Sequence, residues 1–509
     1  MSTWDYLLRG FAVALEPNHL LFAVIGVVAG EVIGALPGIG SVSGVALLLP
    51  LTFGMDPTAA IIMLSGIYYG VMYGSTISAV LIDIPGDSAA IMTGLDGHML
   101  AKQGRAGQAL FVAAVGSFVA GTFAIIMLSF FAPPLARFGL RFGPPEMAML
   151  MLLALTSLGW LTGESPVKGL ISGVIGLLLA LVGMDSVNGN ARFNFGSIEL
   201  LDGIPLLPVV IGLFGITQVL VWLERQERWS TQWTGLSIRN VLPSAAEWAS
   251  SVWAIVRGTV VGFFVGLLPG AGATTSSFLA YTVERQVSRN PAKFGRGAIE
   301  GVAAPESANN AAAIAAYVPL LSLGIPGSGT TAVLMGGLMM WGLRPGPLLF
   351  RDNPDFVWGL IASFYIANLM LLAINTLAIP AVVKVLALPA PILMVLVAVL
   401  SLVGGYAIDN SLFDVGVVLV AGILGYFLTK LRVPVAPLIL ALVLGPDLET
   451  ALRRSFLLSR GSPAIFVTRP IALVLLLLTV VSLLAPVVAG MLRSRRVVVA
   501  EARGTRYGT

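Results

Sequence analysis

The chain has 509 residues, of which 57% are hydrophobic and 11% charged, with a mean hydropathy of +0.94; a soluble domain carries about a quarter charged residues, so this composition excludes one. There are no cysteines and only two histidines, His19 and His98, which excludes disulfides, Cys-ligated zinc, Fe–S clusters and a histidine metal centre. The net charge of +4 sits in short loops between long apolar runs, so it reads as a topology signal and not as a nucleic-acid footprint. The runs are long and do not alternate, which predicts helices in the membrane and not a barrel.

Met1 to Glu16 lacks a basic region before a short apolar core and does not read as a cleaved signal peptide. Trp4 to Phe11 is expected to be a short amphipathic entry helix. The first span, about His19 to Leu36, contains Glu31 and stops at Pro37-Gly38. Ile39 to Phe53 is shorter than the ~20 residues a crossing needs and reads as a half-helix or an arm of a re-entrant hairpin. Ala59 to Ile82 is a full span ending at Asp83-Ile84-Pro85-Gly86. Asp96 to Gln108 is predicted to be a polar loop, followed by an uncharged span from Ala109 to Pro133. Spans at Pro145 to Leu161 and Val167 to Met184 are joined by 162–165, and a polar connection runs from Asp185 to Asp202. Leu206 to Leu223 follows.

Residues 224–250 are the most polar stretch. With Trp229, Trp233 and Trp248 they read as an interfacial linker between a first membrane repeat (1–223) and a second (251–492). The second half opens with Val252 to Leu268 and its break at Pro269-Gly270. A basic loop, Glu284 to Arg296, precedes Gly301 to Leu323. Then come Val357 to Leu388, expected to bend at Pro380, and spans at Pro391 to Ile408, Leu412 to Leu428, Val433 to Leu444 and Pro470 to Leu492. The fold class is thus an all-α integral membrane protein with about eleven to thirteen membrane segments, broken helices and re-entrant hairpins included. Residues 493–509 form a basic tail expected on the cytoplasmic side.

The halves resemble each other. Gly34-Ala35-Leu36-Pro37-Gly38-Ile39-Gly40 matches Gly266-Leu267-Leu268-Pro269-Gly270-Ala271-Gly272, and Ile84-Pro85-Gly86 matches Ile325-Pro326-Gly327. The second match has an offset of 241 (326 less 85), at which Phe53-Gly54 also falls on Phe294-Gly295. Several matches in order point to an internal duplication; chance likeness among Gly-rich helices is the alternative.

Pro removes a backbone donor and Gly turns freely, so a Pro-Gly pair at membrane depth breaks a helix. Such breaks are tolerated only where protein or a water-filled cavity satisfies the freed groups. A restarted helix points N–H groups at its surroundings and suits an anion. These are the candidate substrate-binding residues: Pro37, Gly38, Gly40 and Ser41; Pro85, Gly86 and Ser88; Pro269, Gly270, Gly272 and Thr274; Pro326, Gly327 and Ser328. Ser43, Thr275, Ser276 and Thr330 lie close by. The competing reading is that the hydroxyls only cap the restarted helices.

Pro305-Glu306-Ser307-Ala308-Asn309-Asn310 is the most polar run within a span. Its cost in lipid requires a cavity or a partner. Asn309 and Asn310 are expected to bind substrate or ion, and Glu306 to bind a cation or close a gate. The competing reading is an interfacial helix N-terminus. Asp83, Glu306, Ser307 and Thr330 are the candidate ion-coupling residues. Asp87 flanks the same break as Asp83, and Lys168 and Arg344 are basic residues that suit an anion or snorkel. No nucleophile–base pair or metal set is evident, so an enzyme is not expected; no cofactor is expected beyond a coupled Na+ or H+.

These residues carry a resemblance. The chain resembles the large membrane subunit of the bacterial tripartite tricarboxylate transporters, the TctA family. The motifs are Gly34–Gly40, Tyr68–Ser75, Ile84–Gly86, Leu95-Asp96-Gly97, Lys102–Gly107, Pro305–Asn310 and Gly324–Gly327, and the likeness runs from Gly10 to about Leu492. The resemblance implies a secondary carrier of citrate-like carboxylates driven by a sodium or proton gradient, in the bacterial inner membrane. It implies two inverted halves, a small four-span membrane subunit, a periplasmic solute-binding protein, and a homodimer of the resulting heterodimer. The family usually has Asn before the first Ile-Pro-Gly, where this sequence has Asp83. An anion channel, or a carrier for another small anion, is the rival reading.

Overall fold

A computed structural model describes residues 2–36, 38–161, 166–185, 188–225, 242–377 and 390–484. In lipid only a helix satisfies its own backbone groups along one open segment, and most of the described residues are helical. The strands among the described residues are two short ones, Gly183–Met184 antiparallel to Ala191–Arg192, in the polar connection of the first half.

The first half contains α1 (Thr3–Ala14), α2 (Pro17–Ala35), α3 (Gly40–Leu48), α4 (Pro57–Ile82), α5 (Ile91–Lys102), α6 (Ala106–Gly139), α7 (Pro144–Leu161) and α8 (Pro166–Ala180). It closes with α9 (Leu206–Ile211), which passes through a π-helical turn at Gly212–Ile216 into α10 (Thr217–Arg225). The second half contains α11 (Ala245–Gly266), α12 (Gly272–Val287), α13 (Glu300–Ala315), α14 (Tyr317–Leu323), α15 (Gly329–Met340), α16 (Leu349–Asp352) and α17 (Pro354–Leu377). It ends with α18 (Ala390–Asp409), α19 (Leu412–Lys430), α20 (Ala436–Leu458), α21 (Ile465–Thr468) and α22 (Pro470–Leu484). Among the described residues eight helices are long and apolar enough to cross a membrane, and four shorter apolar helices accompany them. This is a multi-pass, all-α membrane protein. The bend expected at Pro380, the joint at 162–165, Trp229, Trp233 and the tail 493–509 lie outside the described residues, as does most of the polar linker; α11 begins inside its last part, at Ala245.

Helix α4 is the axis, buried along its whole apolar length. Its main partner is α2, and glycines make the contact possible. Gly26, Gly30 and Gly34 of α2 lie against the carbonyls of Met63, Ile67 and Val71 of α4. A Cβ on Gly30 would stand 2.3 Å from the Ile67 oxygen, so only glycine permits this approach. Helices α11 and α13 meet in the same way. Gly258, Gly262 and Gly266 lie against Ala304, Ala308 and Ala312, and a Cβ on Gly262 would be 2.3 Å from the Ala308 oxygen. Small residues at such spacing are how membrane helices pack without a hydrophobic driving force between them.

Several expected boundaries move. The expected loop at Asp96 to Gln108 is helical as far as Lys102; buried Asp96 fastens it by accepting from Gly297 N, Ala298 N and the Tyr281 hydroxyl. The span from Ala109 to Pro133 extends from Ala106 to Gly139 with Pro133 and Pro134 inside it. The expected span Gly301 to Leu323 is interrupted between α13 and α14. Pro319 has no N–H to return to the Ala315 carbonyl, which accounts for the interruption. The span at Val433 to Leu444 continues as helix to Leu458. Part of the expected basic loop, as far as Val287, belongs to α12. The entry helix α1 is as expected, with a Ser2–Asp5 capping box, Trp4 edge-on to Phe130 and Tyr6 stacked on Trp358.

Candidate functional site

The breaks are tied together twice over. Within each half, the first break donates to the second: Gly38 N to Pro85 O at 3.3 Å, and Gly270 N to Gly327 O at 2.9 Å. Gly38 and Gly270 share a left-handed φ of 79°, which glycine adopts without strain. Between the halves, hydroxyls meet directly. Ser41 Oγ lies 2.9 Å from Thr330 Oγ1, and Ser88 Oγ lies 2.7 Å from Thr274 Oγ1. Each contact joins the first break of one half to the second break of the other. Residues separated by 186 and 289 positions therefore form one locus.

Side chains cap three of the four restarts; α12 has no side-chain cap. Asp87 accepts from Ser41 N at 2.7 Å and from Ala89 N at 2.9 Å. At the matching position of the second half, Ser328 forms a capping box with Thr331. Thus Ser328 caps, as the competing reading expects, whereas Ser41, Ser88, Thr274 and Thr330 face one another. Ser276 bonds back to Gly272 O in its own helix, and the Pro269 carbonyl accepts from Ser157. Gly86, Pro326 and Gly327 are buried, and Pro85, Gly270 and Gly272 are half-buried. A Cβ on Gly86 would stand 1.7 Å from Gly34 O, so the two breaks of the first half are in contact. Pro37 lies outside the described residues.

The polar run of α13 is buried in mid-helix, well inside its N-terminus. The run is therefore not a helix N-terminus. Glu306 is enclosed by four donors: Thr76 Oγ1 at 2.7 Å and Thr93 Oγ1 at 3.0 Å on Oε2, Ser117 Oγ at 3.2 Å and Asn310 Nδ2 at 3.4 Å on Oε1. Asn310 also donates to Ser117 Oγ at 2.7 Å. Helices α4, α5, α6 and α13 each contribute to this enclosure. Asn309 is fully buried with neither amide atom hydrogen-bonded, and Asn310 Oδ1 is likewise free. Ser307 bonds to Ala303 O of its own helix at 2.8 Å and packs against Gly116; it takes no part in the Glu306 set. Sequence reasoning missed Thr93 and Ser117 altogether, since single hydroxyls in apolar helices carry no signal. Thr76 had one, as the end of the small polar run Gly74-Ser75-Thr76.

Asp83 is exposed and ends α4 in a left-handed conformation, φ 60°. Gly324, at the offset of 241, ends α14 in the same way with φ 73°. Asp is among the few residues other than Gly that tolerate this geometry. Lys168 donates to Leu431 O at the end of α19, so it serves as a helix terminator there. A second buried network missed by sequence reasoning centres on Asn368. It accepts from the Tyr69 and Tyr73 hydroxyls at 2.7 and 3.1 Å and donates to Phe118 O and Thr122 Oγ1. That network ties α4, α6 and α17 together.

Two cavities lie beside other segments. One of about 580 Å³ is lined by Met92, Tyr281, Arg285 and Phe294, and another of about 390 Å³ by Arg192, Asp202, Met339 and Glu449. The broken helices themselves are in direct contact.

A profile of the Tripartite tricarboxylate transporter TctA family matches residues 20–440. That match spans both pairs of breaks and the buried Glu306 run. The chain belongs to the TctA family. An uncharacterized 52.8 kDa protein in the TAR-I ttuC' 3' region of Agrobacterium vitis is 43% identical over 477 residues, covering 94% of each chain. An uncharacterized protein in the TAR-II ttuC' 3' region of the same organism is 45% identical over 235 residues, 46% of this chain and 97% of its own. No solved structure matches. Membership of the TctA family makes this chain the large membrane subunit of a three-part transporter, which works with partner subunits.

Proposed function

We propose that the chain is the translocating subunit of a secondary carrier that imports a small organic carboxylate, citrate-like or a dicarboxylate, at the locus where its four broken helices meet. The observation that carries this reading is the pair of hydroxyl contacts between halves, Ser41–Thr330 and Ser88–Thr274. Helices α3, α5, α12 and α15 all restart around these contacts. Restarted helices turn N–H groups and positive dipole ends toward such a locus, which favours carboxylate oxygens. The hydroxyls that now bond one another supply donors once the arms part around an anion.

Accumulating an anion calls for a coupled cation, and the buried Glu306 carboxylate, enclosed by neutral donors, is the group suited to Na+ or H+. The exposed helix-end position of Asp83 suits coupling less well. The matched glycine interlocks and the paired left-handed glycines support two repeats, 1–223 and 251–492; their inverted orientation rests on the family resemblance. Substrate is handed over by a periplasmic binding protein, and a small four-span subunit completes the membrane complex as one half of a dimer of heterodimers. The complex sits in the bacterial inner membrane with the C-terminus in the cytoplasm. The chemistry is transport, not catalysis.

The test is uptake of labelled carboxylates into proteoliposomes holding the chain and its small partner, with the binding protein outside. Accumulation above the external concentration, dependent on a Na+ or pH gradient, supports the reading. Equilibration without accumulation would indicate a channel, and chemically altered product an enzyme.

A further inference from the structure

Glu31 is a buried carboxyl to which no role has yet been given. It lies about one turn before the end of α2, 1% exposed. Gly70 and Gly74 of α4 press against its backbone, where a Cβ on Gly74 would stand 2.2 Å from the Glu31 carbonyl oxygen. Neither carboxyl oxygen has a hydrogen-bond partner. Asn375 of α17 is near enough to act on the carboxyl; one of its two amide N–H groups is hydrogen-bonded to Leu371 O at 3.1 Å. Glu31 and Glu306 meet the same turn of α4: Gly74 lies against the Glu31 backbone, and Thr76 donates to the Glu306 carboxyl at 2.7 Å; Tyr73, in that turn, is the other titratable group that acts on both. The Tyr73 hydroxyl is committed to Asn368.

The two buried carboxyls are treated in opposite ways. Glu306 accepts from three hydroxyls and an amide, the full complement an ionised carboxylate takes. Glu31 has none. Among the described residues no Lys, Arg or His forms an ion pair with either one. Arg257 of α11 pairs with Glu284, and Arg105 with Glu247. Two buried carboxylates without a counter-ion carry a large desolvation cost, which a bound cation offsets.

We propose that Glu31 and Glu306 form one two-carboxyl binding site for a monovalent cation, a proton or Na+, with Glu31 supplying the oxygens that the protein leaves unfilled. The consequence for transport rests on the carrier reading given above; cation binding itself does not. Occupancy neutralises the pair. Because α2 carries Glu31 directly into the first break, and α13 and α14 carry Glu306 toward the last, loading this site bears on the breaks of both halves.

The experiment uses the full-length chain in detergent, without substrate. Thermal unfolding is followed while NaCl is titrated against choline chloride at fixed pH, and then while pH is varied in choline alone. Wild type, Glu31→Gln and Gly173→Ala are compared, the last as a control whose new methyl has nothing within 4 Å. A Na+-specific rise in melting temperature that Glu31→Gln weakens by about tenfold or more in affinity supports a Na+ site. A pH-dependent rise in wild type that Glu31→Gln flattens, with no Na+ effect, supports a proton site. Wild type with neither response, or Glu31→Gln with the wild-type response, overturns the proposal. Should Glu31→Gln not fold, Glu31→Asp keeps the charge on a shorter arm. An altered cation affinity in that variant supports the site, and an unchanged one overturns it. No substrate enters this measurement, so a failed carboxylate uptake assay leaves its outcome intact.

Discussion

A covalent lock across the broken helices tests the geometry of the locus most severely. The chain has no cysteine, so every thiol is an introduced one. Two double variants are indicated: Ser88→Cys with Thr274→Cys, and Ser41→Cys with Thr330→Cys. The wild-type hydroxyl oxygens stand 2.7 and 2.9 Å apart, so reaching the ~2.05 Å of a disulfide needs a closure of about 0.6 to 0.9 Å. The hydrogen bond they replace contributes about 0.5–1.5 kcal/mol, a two- to twelvefold bias toward the joined arrangement at about 1.4 kcal/mol per decade. Thermal motion parts such a contact readily; a disulfide does not open. Both pairs bridge the polar stretch 226–241, so a protease site introduced there reports the cross-link. The two fragments stay together on a non-reducing gel and separate on reduction. Oxidation should abolish uptake by reconstituted protein, and reductant should restore it. If neither pair cross-links, the arms do not meet as described. If the cross-linked protein transports at the wild-type rate, the arms do not part during the cycle and the locus is not the path.

Three further outcomes follow from the packing. Gly30→Ala places a methyl 2.3 Å from the Ile67 carbonyl and should destabilise the folded chain by about 1–3 kcal/mol, whereas Gly173→Ala should stay within about 0.5 kcal/mol of wild type; equal melting of the two would refute the α2–α4 interlock. Asn368→Leu orphans the buried Tyr69 and Tyr73 hydroxyls and should cost about 1–3 kcal/mol for each; thermal melting at the wild-type temperature would refute the network. Asn309→Leu removes two unpaired buried polar atoms, so stability should hold or rise while uptake falls by about tenfold or more, as loss of one well-made contact of about 1.4 kcal/mol would give. Unchanged uptake would remove Asn309 from the site.

The sequence was most legible where its chemistry was extreme. Four Pro-Gly pairs in apolar helices announced four breaks, and the structure brings their flanking hydroxyls into contact. The polar run on α13 announced a buried carboxylate, because its cost in lipid leaves few alternatives. What stayed hidden was partnership. Thr93 and Ser117 look like ordinary helix residues until α5 and α6 bring them to Glu306, and Asn368 gives no sign that it joins two tyrosines. Boundaries failed for local reasons. Asp96 and Lys102 suggested a loop by their polarity, yet Asp96 spends that polarity on capping the chain before α13. Pro319 broke α13 from α14 although the apolar pattern runs straight through it.

Substrate protection of single cysteines bears most directly on the claim that the broken helices hold the transported anion. Ser41→Cys, Ser88→Cys, Thr274→Cys and Thr330→Cys would each be alkylated with a small maleimide in membranes, with and without citrate-like carboxylates. Gln286→Cys, at the cavity of about 580 Å³, serves as the remote control. The account predicts that the transported carboxylate slows labelling at all four break positions and leaves Gln286→Cys unaffected. Protection at none of the four, or equal protection at Gln286→Cys, would contradict it.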